Sequence, residues 1–596
     1  ADQHYTITEP VGQSPVETPP PPKPLFERSE ALAQAIHQEI PFDDFALQPL
    51  LPNKLSQLGP GCAWGDIDGD GDDDFFLAGA RGEAGQIFLN SGAGNFSPHP
   101  SAALAADASA EDLGALFFDS DGDGDLDLYV AHGGVEAPAD HPSHRDRLYL
   151  NDGGGGFSPA PDGTLPDVRT SSGAVAAADI DRDGDLDLFV GGRLTPAQYP
   201  VAPRSQLLIN SGGKFRDEPM PELGMVTGAV WSDADDDGWI DLLVTTDWGP
   251  VRLLKNGGGK LVDQTDTAGL SARLGWWNGI AAGDVDSDGD IDYLVSNYGL
   301  NTKYKASPEK PEIVFYGDLD GSGKSNIVEA KLDADKKILL PRRGFSCSKA
   351  AMPVLEKQVG TFHNFASAAL VDLYTETRLS QALRLDATEL ESGLLINDGN
   401  ATFSWRPLPR IAQIAPAFGA VLVDIDADGD LDAVLAQNSF SPQRETGHMD
   451  GGLGQVLLND GDGQLSAIGP QASGIQIPGD AKSLSVADLD ADGRPDLIFG
   501  MNHGATICYL NRSERKPLEI RLQSRPGNPD AAGARVKIGN QIREQIAGHS
   551  YLSQSAATLY FSPLPADTNV GVRWPDGSRS EHPLDAGIES AVLTQP

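Results

Sequence analysis

The sequence predicts an all-β chain dominated by a seven-bladed β-propeller. Three observations carry that reading. An acidic nine-residue cassette returns about every 50–65 residues. An apolar triplet followed by Asn and a Gly-rich turn returns in step with it. Between these marks the apolar residues fall into short β-like runs, four to a repeat. A fixed motif at a steady period marks a repeat architecture, and four strands repeated radially make a propeller.

The cassette is clearest at Asp119–Asp127, which reads D-S-D-G-D-G-D-L-D. Leu116, Phe117 and Phe118 lead in, and Leu128, Tyr129 and Val130 lead out. Alternating carboxylates around a glycine form a cage of hard oxygens, which suits Ca2+. Seven complete copies give the candidate ligands. They are Asp66, Asp68, Asp70, Asp72 and Asp74; Asp119, Asp121, Asp123, Asp125 and Asp127; and Asp179, Asp181, Asp183, Asp185 and Asp187. Next come Asp233, Asp235, Asp237, Trp239 and Asp241, then Asp284, Asp286, Asp288, Asp290 and Asp292. The last two copies give Asp424, Asp426, Asp428, Asp430 and Asp432, then Asp488, Asp490, Asp492, Arg494 and Asp496. Position seven accepts Trp239 and Arg494, so it is expected to ligate through its backbone carbonyl. A weakened copy at Asp318 carries Ser322, Lys324 and Asn326 and has lost charge. About seven bound Ca2+ are expected. An EF-hand is excluded, because Leu77, Val130 and Val190 stand where the closing Glu would have to be.

The net charge of -43 follows from these cassettes, which hold a large share of the 87 acidic residues. This is ligand chemistry and not an acidic tail, and it argues against nucleic acid as a partner. No apolar run approaches the ~18 residues that a membrane-spanning helix needs. Cys62, Cys347 and Cys508 form no C-x-x-C pair, so zinc and thioredoxin-type chemistry are not indicated. Ala1 carries no leader pattern behind it, which fits a signal peptide already removed. Open acidic cassettes fill at extracellular calcium levels, so an extracellular, periplasmic or cell-surface location is expected.

Along the chain, residues 1–44 read as a Pro-rich spacer or surface tether, ending in Pro19–Pro22, plus one short helix over 27–39. Phe45–Leu51 reads as a lone strand that closes the ring as the outer strand of the last blade. The propeller is assigned to 45–515. Its Asn-Gly turns fall at Asn90, Asn151, Asn210, Asn256, Asn397 and Asn459, with a partial one at Asn511. Asn before Gly supports a tight hairpin. Strand starts are aromatic at Phe96, Phe157, Phe215 and Phe403. No such turn separates Asp284 from Asp318, so both cassettes are placed in one blade. An eighth blade owned by Asp318 is the alternative. Over about 330–388 the periodicity turns helical, with Phe362, Phe365, Ala369, Leu370 and Leu373 in a stripe followed by Leu379, Leu383 and Leu385; two or three short helices are expected. Residues 516–596 carry no cassette and read as a small β-sandwich or barrel.

Three further groups are chemically suggestive. Trp276, Trp277, Asn278, Asn297, Tyr298 and Tyr304 could stack on a sugar, although blade packing is the plainer reading. Arg342, Arg343, Cys347, Lys349, Lys357 and His363 form a basic, thiol-bearing patch. Asn438, Arg444, Glu445, His448 and Asp450 lie in a Gly-rich loop. No Ser/His/Asp order, Walker loop or nucleotide fingerprint occurs.

The repeats resemble FG-GAP/VCBS repeats of integrin-α-like propellers. The C-terminal segment is similar to the ASPIC/UnbV domain through Gly533-Ala534-Arg535-Val536, Arg543-Glu544, Gly548, Tyr551-Leu552-Ser553-Gln554 and Val572-Arg573-Trp574-Pro575-Asp576-Gly577. The order of parts, with Ser346-Cys347-Ser348 and Met352-Pro353 in the insertion, resembles bacterial relatives of cartilage acidic protein. The resemblance implies a secreted or surface-attached calcium-binding protein that meets matrix or cell-surface protein or glycan. It implies no particular reaction. The chain lacks the cysteines for the EGF-like module of the animal proteins, so roles tied to that module do not transfer. Two other readings stay open: a calcium-dependent, polysaccharide-lyase-like enzyme on the same propeller, and an accessory subunit of a surface complex.

Overall fold

The computed structural model describes residues 23–563 and 568–596. Among the described residues, seven antiparallel sheets follow one another as blades, each with four strands in line, and the fourth carries a fifth short strand, Gly275–Trp276, on its second strand. Their first strands are Cys62–Gly65, Asp112–Phe118, Ser171–Ala178, Met225–Ser232, Ile280–Gly283, Ala417–Val423 and Ala481–Ala487. Each of these strands neighbours the next, and the last neighbours the first, so they form a closed inner ring. In every blade the cassette joins the first strand to the second, and the third strand ends on the signature Asn or, in blade six, on the Leu458 just before it. Strand one is almost wholly buried, because both its faces meet other blades, and it reads as a continuous apolar run. The core is distributed between blades. Leu128, Val130 and Phe117 fill one seam, for example, and Trp231, Leu242 and Phe189 another. The aromatic strand starts pack inward, with Phe96 against Trp64, Phe157 against Phe117, Phe215 against Phe118 and Phe403 against Tyr293.

The ring closes with a different segment from the one expected. Phe26–Ser29 is a strand, not part of a helix, and it pairs antiparallel with Cys508–Asn511 as the outer strand of blade seven. The exposed edge of Ile507–Asn511 needs a partner for its backbone groups, and that demand overrides the weak helical pattern of 27–39. The residues expected as the closing strand instead hold a one-turn helix, Asp44–Leu47, capped by the Asp43 carboxylate. Asp44 is fully buried, and its carboxylate accepts from the Leu55 and Ser56 backbone and from the Ser56 hydroxyl.

Blade five is interrupted between its second strand, Asp292–Val295, and its third, Gly393–Asn397. The insertion begins earlier than the sequence pattern suggested. It contains its own four-stranded sheet, built from Ile338–Pro341, Asn326–Asp333, Glu312–Gly317 and Leu383–Ala387 in that order. The Asp318 cassette joins two strands of this added sheet, so it shares no blade with Asp284. Five short helices, not two or three, lie between Phe345 and Gln381 among the described residues. The expected stripe is broken by extended backbone at Ala368 and Ala369. Leu383 and Leu385 belong to a strand, and Phe362 is exposed.

The C-terminal domain has two sheets around one core of Leu518, Ile520, Val536, Phe561, Val572 and Trp574. Between its strands the chain leaves the domain and threads the propeller axis. Ala547 accepts from Ala177, Ser550 pairs with Ile280, and Gln554 brackets Phe117 through both its amide atoms. The Ser550, Ser553 and Ser555 hydroxyls accept from Ala420, Leu484 and Val486. These bonds occupy inner-strand backbone groups that a hollow axis would leave to water. Among the described residues, no helix is long and apolar enough to cross a membrane.

Phe26 is 1% exposed and packs in the seam between blades six and seven. Phe26→Ala should therefore cost about 3–5 kcal/mol in a denaturant titration. A loss below about 0.5 kcal/mol, the size of an ordinary surface change, would show that this strand does not close the ring.

Candidate metal centres

Each cassette is built by a hydrogen-bond pattern that repeats from blade to blade. In all eight copies the first carboxylate accepts from the backbone N–H of the sixth residue, as in Gly124 to Asp119 at 3.0 Å. That residue is always Gly, with φ between 78° and 110°, a region open to glycine without strain. The fourth residue is also left-handed, even where it is Arg182, Asp236, Ser287, Ala427 or Ala491. Holding a side-chain-bearing residue there costs roughly 1–2 kcal/mol. The fifth carboxylate accepts from the seventh N–H in every complete copy.

These bonds converge the carboxylates. Oxygens of Asp119, Asp121 and Asp127 lie within 4.8 Å of one another, as do those of Asp179, Asp181 and Asp187. The same holds for Asp233, Asp235 and Asp241; for Asp284, Asp286 and Asp292; and, in blade one, for Asp66, Asp68 and Asp70. The donor set is all hard oxygen. Buried oxygens of Asp233, Asp235, Asp284, Asp286, Asp426 and Asp490 have no hydrogen-bond partner. Leaving such atoms unmatched in the interior is costly, and a cation coordinated at the centre satisfies them. The residues present therefore fit a divalent, oxygen-preferring ion. The Asp318 copy offers Asp318 and Asp320 but has Asn326 at the ninth position and Arg378 packed against Gly321.

The ninth carboxylate does more than close the cage. One of its oxygens accepts from the second residue's N–H in all seven blades. The other accepts from the N–H of the signature Asn, at 2.6–2.8 Å. The side-chain amide of that Asn then crosses to the preceding blade. It donates to the carbonyl of that blade's second cassette residue, as in Asn151 to Ile67, Asn210 to Ser120 and Asn256 to Ile180. Asn397, Asn459 and Asn511 repeat the bond to Ala234, Val285 and Ile425. Asn90 departs from the pattern and donates to Asp73. The sequence marked these residues only as turn formers. Their role as ties between blades depends on contacts with a distant repeat, which no local pattern reveals.

The C-terminal domain sits over this acidic face with its arginines. Arg573 contacts Asp233, Arg535 contacts Asp236 and Glu544, and Arg521 pairs with Asp73 at 2.7 Å. Arg543 is buried and donates to Gly429 in the blade-six cassette. Burial pulls its basicity down, and Asp424 and Asp284 oppose that. The Gly527 N–H donates to Asp119 at 2.7 Å. Two cassettes also carry cations of the propeller itself. Lys255 reaches Asp235 and Asp237 in blade four, and Arg494 and Arg512 reach Asp492 and Asp490 in blade seven.

Family models match FG-GAP-like repeats at residues 66–130, 137–190, 233–295 and 447–499, and ASPIC and UnbV at residues 524–595. The chain is an FG-GAP-repeat protein with a C-terminal ASPIC/UnbV domain. No curated protein matches it. Among solved structures, BBS1N in complex with ARL6DN is similar at 11% identity, covering 83% of this chain and 98% of that one, with a TM-score of 0.38. YCF48 from Cyanidioschyzon merolae is similar at 8% identity over 78% and 98% of the two chains, with a TM-score of 0.35. The rhamnogalacturonan lyase YesW is similar at 12% identity over 78% and 87%, with a TM-score of 0.27.

The other sequence candidates separate. Trp277 is packed against Trp405 and donates to Gly249, and Asn297 is spent on the Glu389 and Glu391 carbonyls. Tyr304 binds Glu329. Trp276, Asn278 and Tyr298 line one cavity on the face away from the cassettes. The basic patch is divided among partners, Arg342 to Glu312, Arg343 to Glu445 and Lys349 to Glu356. Lys357 and His363 are exposed beside it. Asn438 is buried in backbone bonds to Gly452 and Gly479, while Arg444, His448 and Asp450 are exposed. All three cysteines are free, with Cys62 and Cys508 buried.

Burial pushes the ninth carboxyls up, to about 8 at Asp187, Asp241 and Asp292 and to about 7 at Asp74. Backbone hydrogen bonds offset part of this and neighbouring carboxylates add to it. Without metal, the folded loop binds protons more tightly than the unfolded chain. The resulting stability is fully present below the ordinary carboxylate range and is lost as pH rises through the folded values. The Tm of chelated protein should fall between about pH 5 and pH 9, and saturating Ca2+ should remove that fall. A chelated Tm that climbs over this window would contradict the burial argument.

Asn397 donates to two buried carbonyls, Ala234 and Ile291. Asn397→Ala leaves both without their donor and should cost about 1–3 kcal/mol in a urea titration. An effect indistinguishable from zero would remove the tie from the account of blade cohesion.

Proposed function

We propose that this protein is a secreted or surface-attached, calcium-binding propeller that serves as an extracellular binding scaffold for protein or glycan. The observation that carries the reading is the ninth carboxylate, which belongs at once to a metal-shaped cage and to the tie between blades. Calcium is the ion that suits an all-oxygen cage of flexible loops, and extracellular modules of this kind fill at about 10⁻⁴–10⁻³ M. Blades four and seven should bind more weakly than the rest, since Lys255 and Arg512 already neutralise part of their charge. The ASPIC/UnbV domain covers the cassette face, which leaves the opposite face, with the insertion, as the surface offered to a partner.

Metal removal tests this directly. Each site held at a hundred times its dissociation constant stabilises the fold by about 2.7 kcal/mol. EDTA should therefore lower the Tm sharply, and Ca2+ should restore it better than Mg2+. Capture of extracellular proteins or glycans by the calcium-loaded form should be lost on chelation. An unchanged Tm in EDTA would defeat the calcium reading.

A further inference from the structure

On the face away from the cassettes, near the axis, a cavity of about 60 Å³ is bounded by Arg193, Asp247, Trp248, Trp276, Asn278 and Tyr298. Its place follows from the strand directions. Asp187–Leu194 and Asp241–Gly249 begin at their cassettes, so Arg193 and Asp247 stand at their far ends. Room for one water takes about 10–15 Å³ on this measure, so the cavity has space for several non-hydrogen atoms.

Its donors are unspent. Arg193 is 7% exposed, and its Nε and one terminal nitrogen have no hydrogen-bond partner. Trp276 is also 7% exposed, and its indole N–H has no partner either. Asp247 lies 3.8 Å from the guanidinium, too far to take a hydrogen bond from it. That carboxylate is held in the wall instead, by the Tyr199 hydroxyl at 3.3 Å, and Trp248 donates to the same hydroxyl at 2.6 Å. Trp276 is fixed edge-to-face against Trp248, Tyr298 and Tyr304, with ring centroids 4.6–4.8 Å apart. Two donor-only groups in the wall therefore lack a partner, because the neighbouring Asp247 carboxylate is out of hydrogen-bond range of the guanidinium and is bonded to Tyr199. Buried donors left in that state cost about 1–3 kcal/mol each.

We propose that this cavity binds a small carboxylate ligand, whose oxygens take the free N–H groups of Arg193 and Trp276. A carboxylate is acceptor-only and matches the planar guanidinium fork. The aromatic walls exclude water and strengthen both bonds. The carboxylate arm of an acidic sugar and a free short-chain acid present the same chemistry. The site contains no cassette residue, so it stands or falls separately from calcium binding.

The test uses the full calcium-saturated chain, with lactate and glucuronate as acids and lactamide and glucose as neutral counterparts. Calorimetry and quenching of tryptophan fluorescence should show one molecule of acid bound per chain and no binding of either neutral compound. Binding of lactate alone assigns a free acid, and binding of glucuronate assigns a sugar arm. Trp276→Phe keeps the ring and removes only the N–H; Arg193→Gln removes the fork. Each should weaken binding about tenfold or more. The fluorescence titration of the unaltered protein stands even where a variant folds poorly. Failure of both acids to bind, equal binding by both variants, or a crystal soaked in the acids that holds only water in the cavity would overturn the proposal.

Discussion

Everything in this molecule turns on one carboxylate per blade, the last residue of the cassette. It is buried, and it accepts two backbone hydrogen bonds, one from within its own loop and one from the Asn that ends the third strand. In blades two to five it also faces the first and third carboxylates of its cage. A buried anion with like-charged neighbours is unfavourable unless a cation or proton compensates it. The loop therefore has two routes to stability, a proton or a bound cation, and a bound cation would be the one available at neutral pH to every blade. The Asn amide reaches the preceding blade, so the compensation at one loop is felt at the seam beside it. Repeated at six of the seven seams, this couples charge neutralisation to the cohesion of neighbouring blades, while the closing seam, where Asn90 bonds within its own blade, lacks the tie.

The ASPIC/UnbV domain completes the same electrostatic scheme from outside. Arg521, Arg535, Arg543 and Arg573 all contact cassette residues, and Arg543 does so while buried. Guanidinium groups suit this position because they stay charged when desolvated and can bond several carbonyls at once. The axial segment 545–557 adds the neutral part of the contact. Its serine hydroxyls and Gln554 amide satisfy inner-strand groups that face the channel. A domain held both by arginines on the rim and by hydrogen bonds down the axis is part of the propeller's folding unit and not a tethered neighbour.

The sequence was legible where a side-chain type repeats against a varying background. Seven Gly residues at position six, beside a position that accepts Asp, Trp or Arg, separate backbone demand from side-chain demand without any structure. The strands around them follow from continuous apolar runs. What could not be read depends on distant partners. F-E-R-S at Phe26–Ser29 holds one apolar residue, and its pairing strand lies at the other end of the propeller sequence. Gly548–Gln554 reads as part of the C-terminal β domain, because its hydrogen-bonding partners lie in the inner strands of distant blades. The insertion misled for a related reason. Leu383 and Leu385 continue a helical count from Leu379, yet they pair with Glu312–Tyr316, and that sheet edge decides their conformation.

These constraints also decide which surface is left for recognition. On the cassette face the charge of the carboxylate cages is met by the arginine-bearing domain above them. A partner binding there would have to displace buried ion pairs, and breaking one partner of such a pair costs about 3–5 kcal/mol. On the opposite face the buried ion pairs, such as Lys482 with Asp480 and Arg342 with Glu312, lie within the propeller and its insertion and hold down no second domain. That face is built from the ends of second strands, the Asp44–Leu47 turn and the inserted sheet with its helices, where Phe362, Val371 and Val354 remain exposed. Sequence change on that face can proceed without disturbing the seven blade cages, since the one cassette it carries is the weakened Asp318 copy of the inserted sheet. A repeat fold stabilised at one end by charge compensation thus keeps its other end free to vary, and that end is where a binding specificity can be placed.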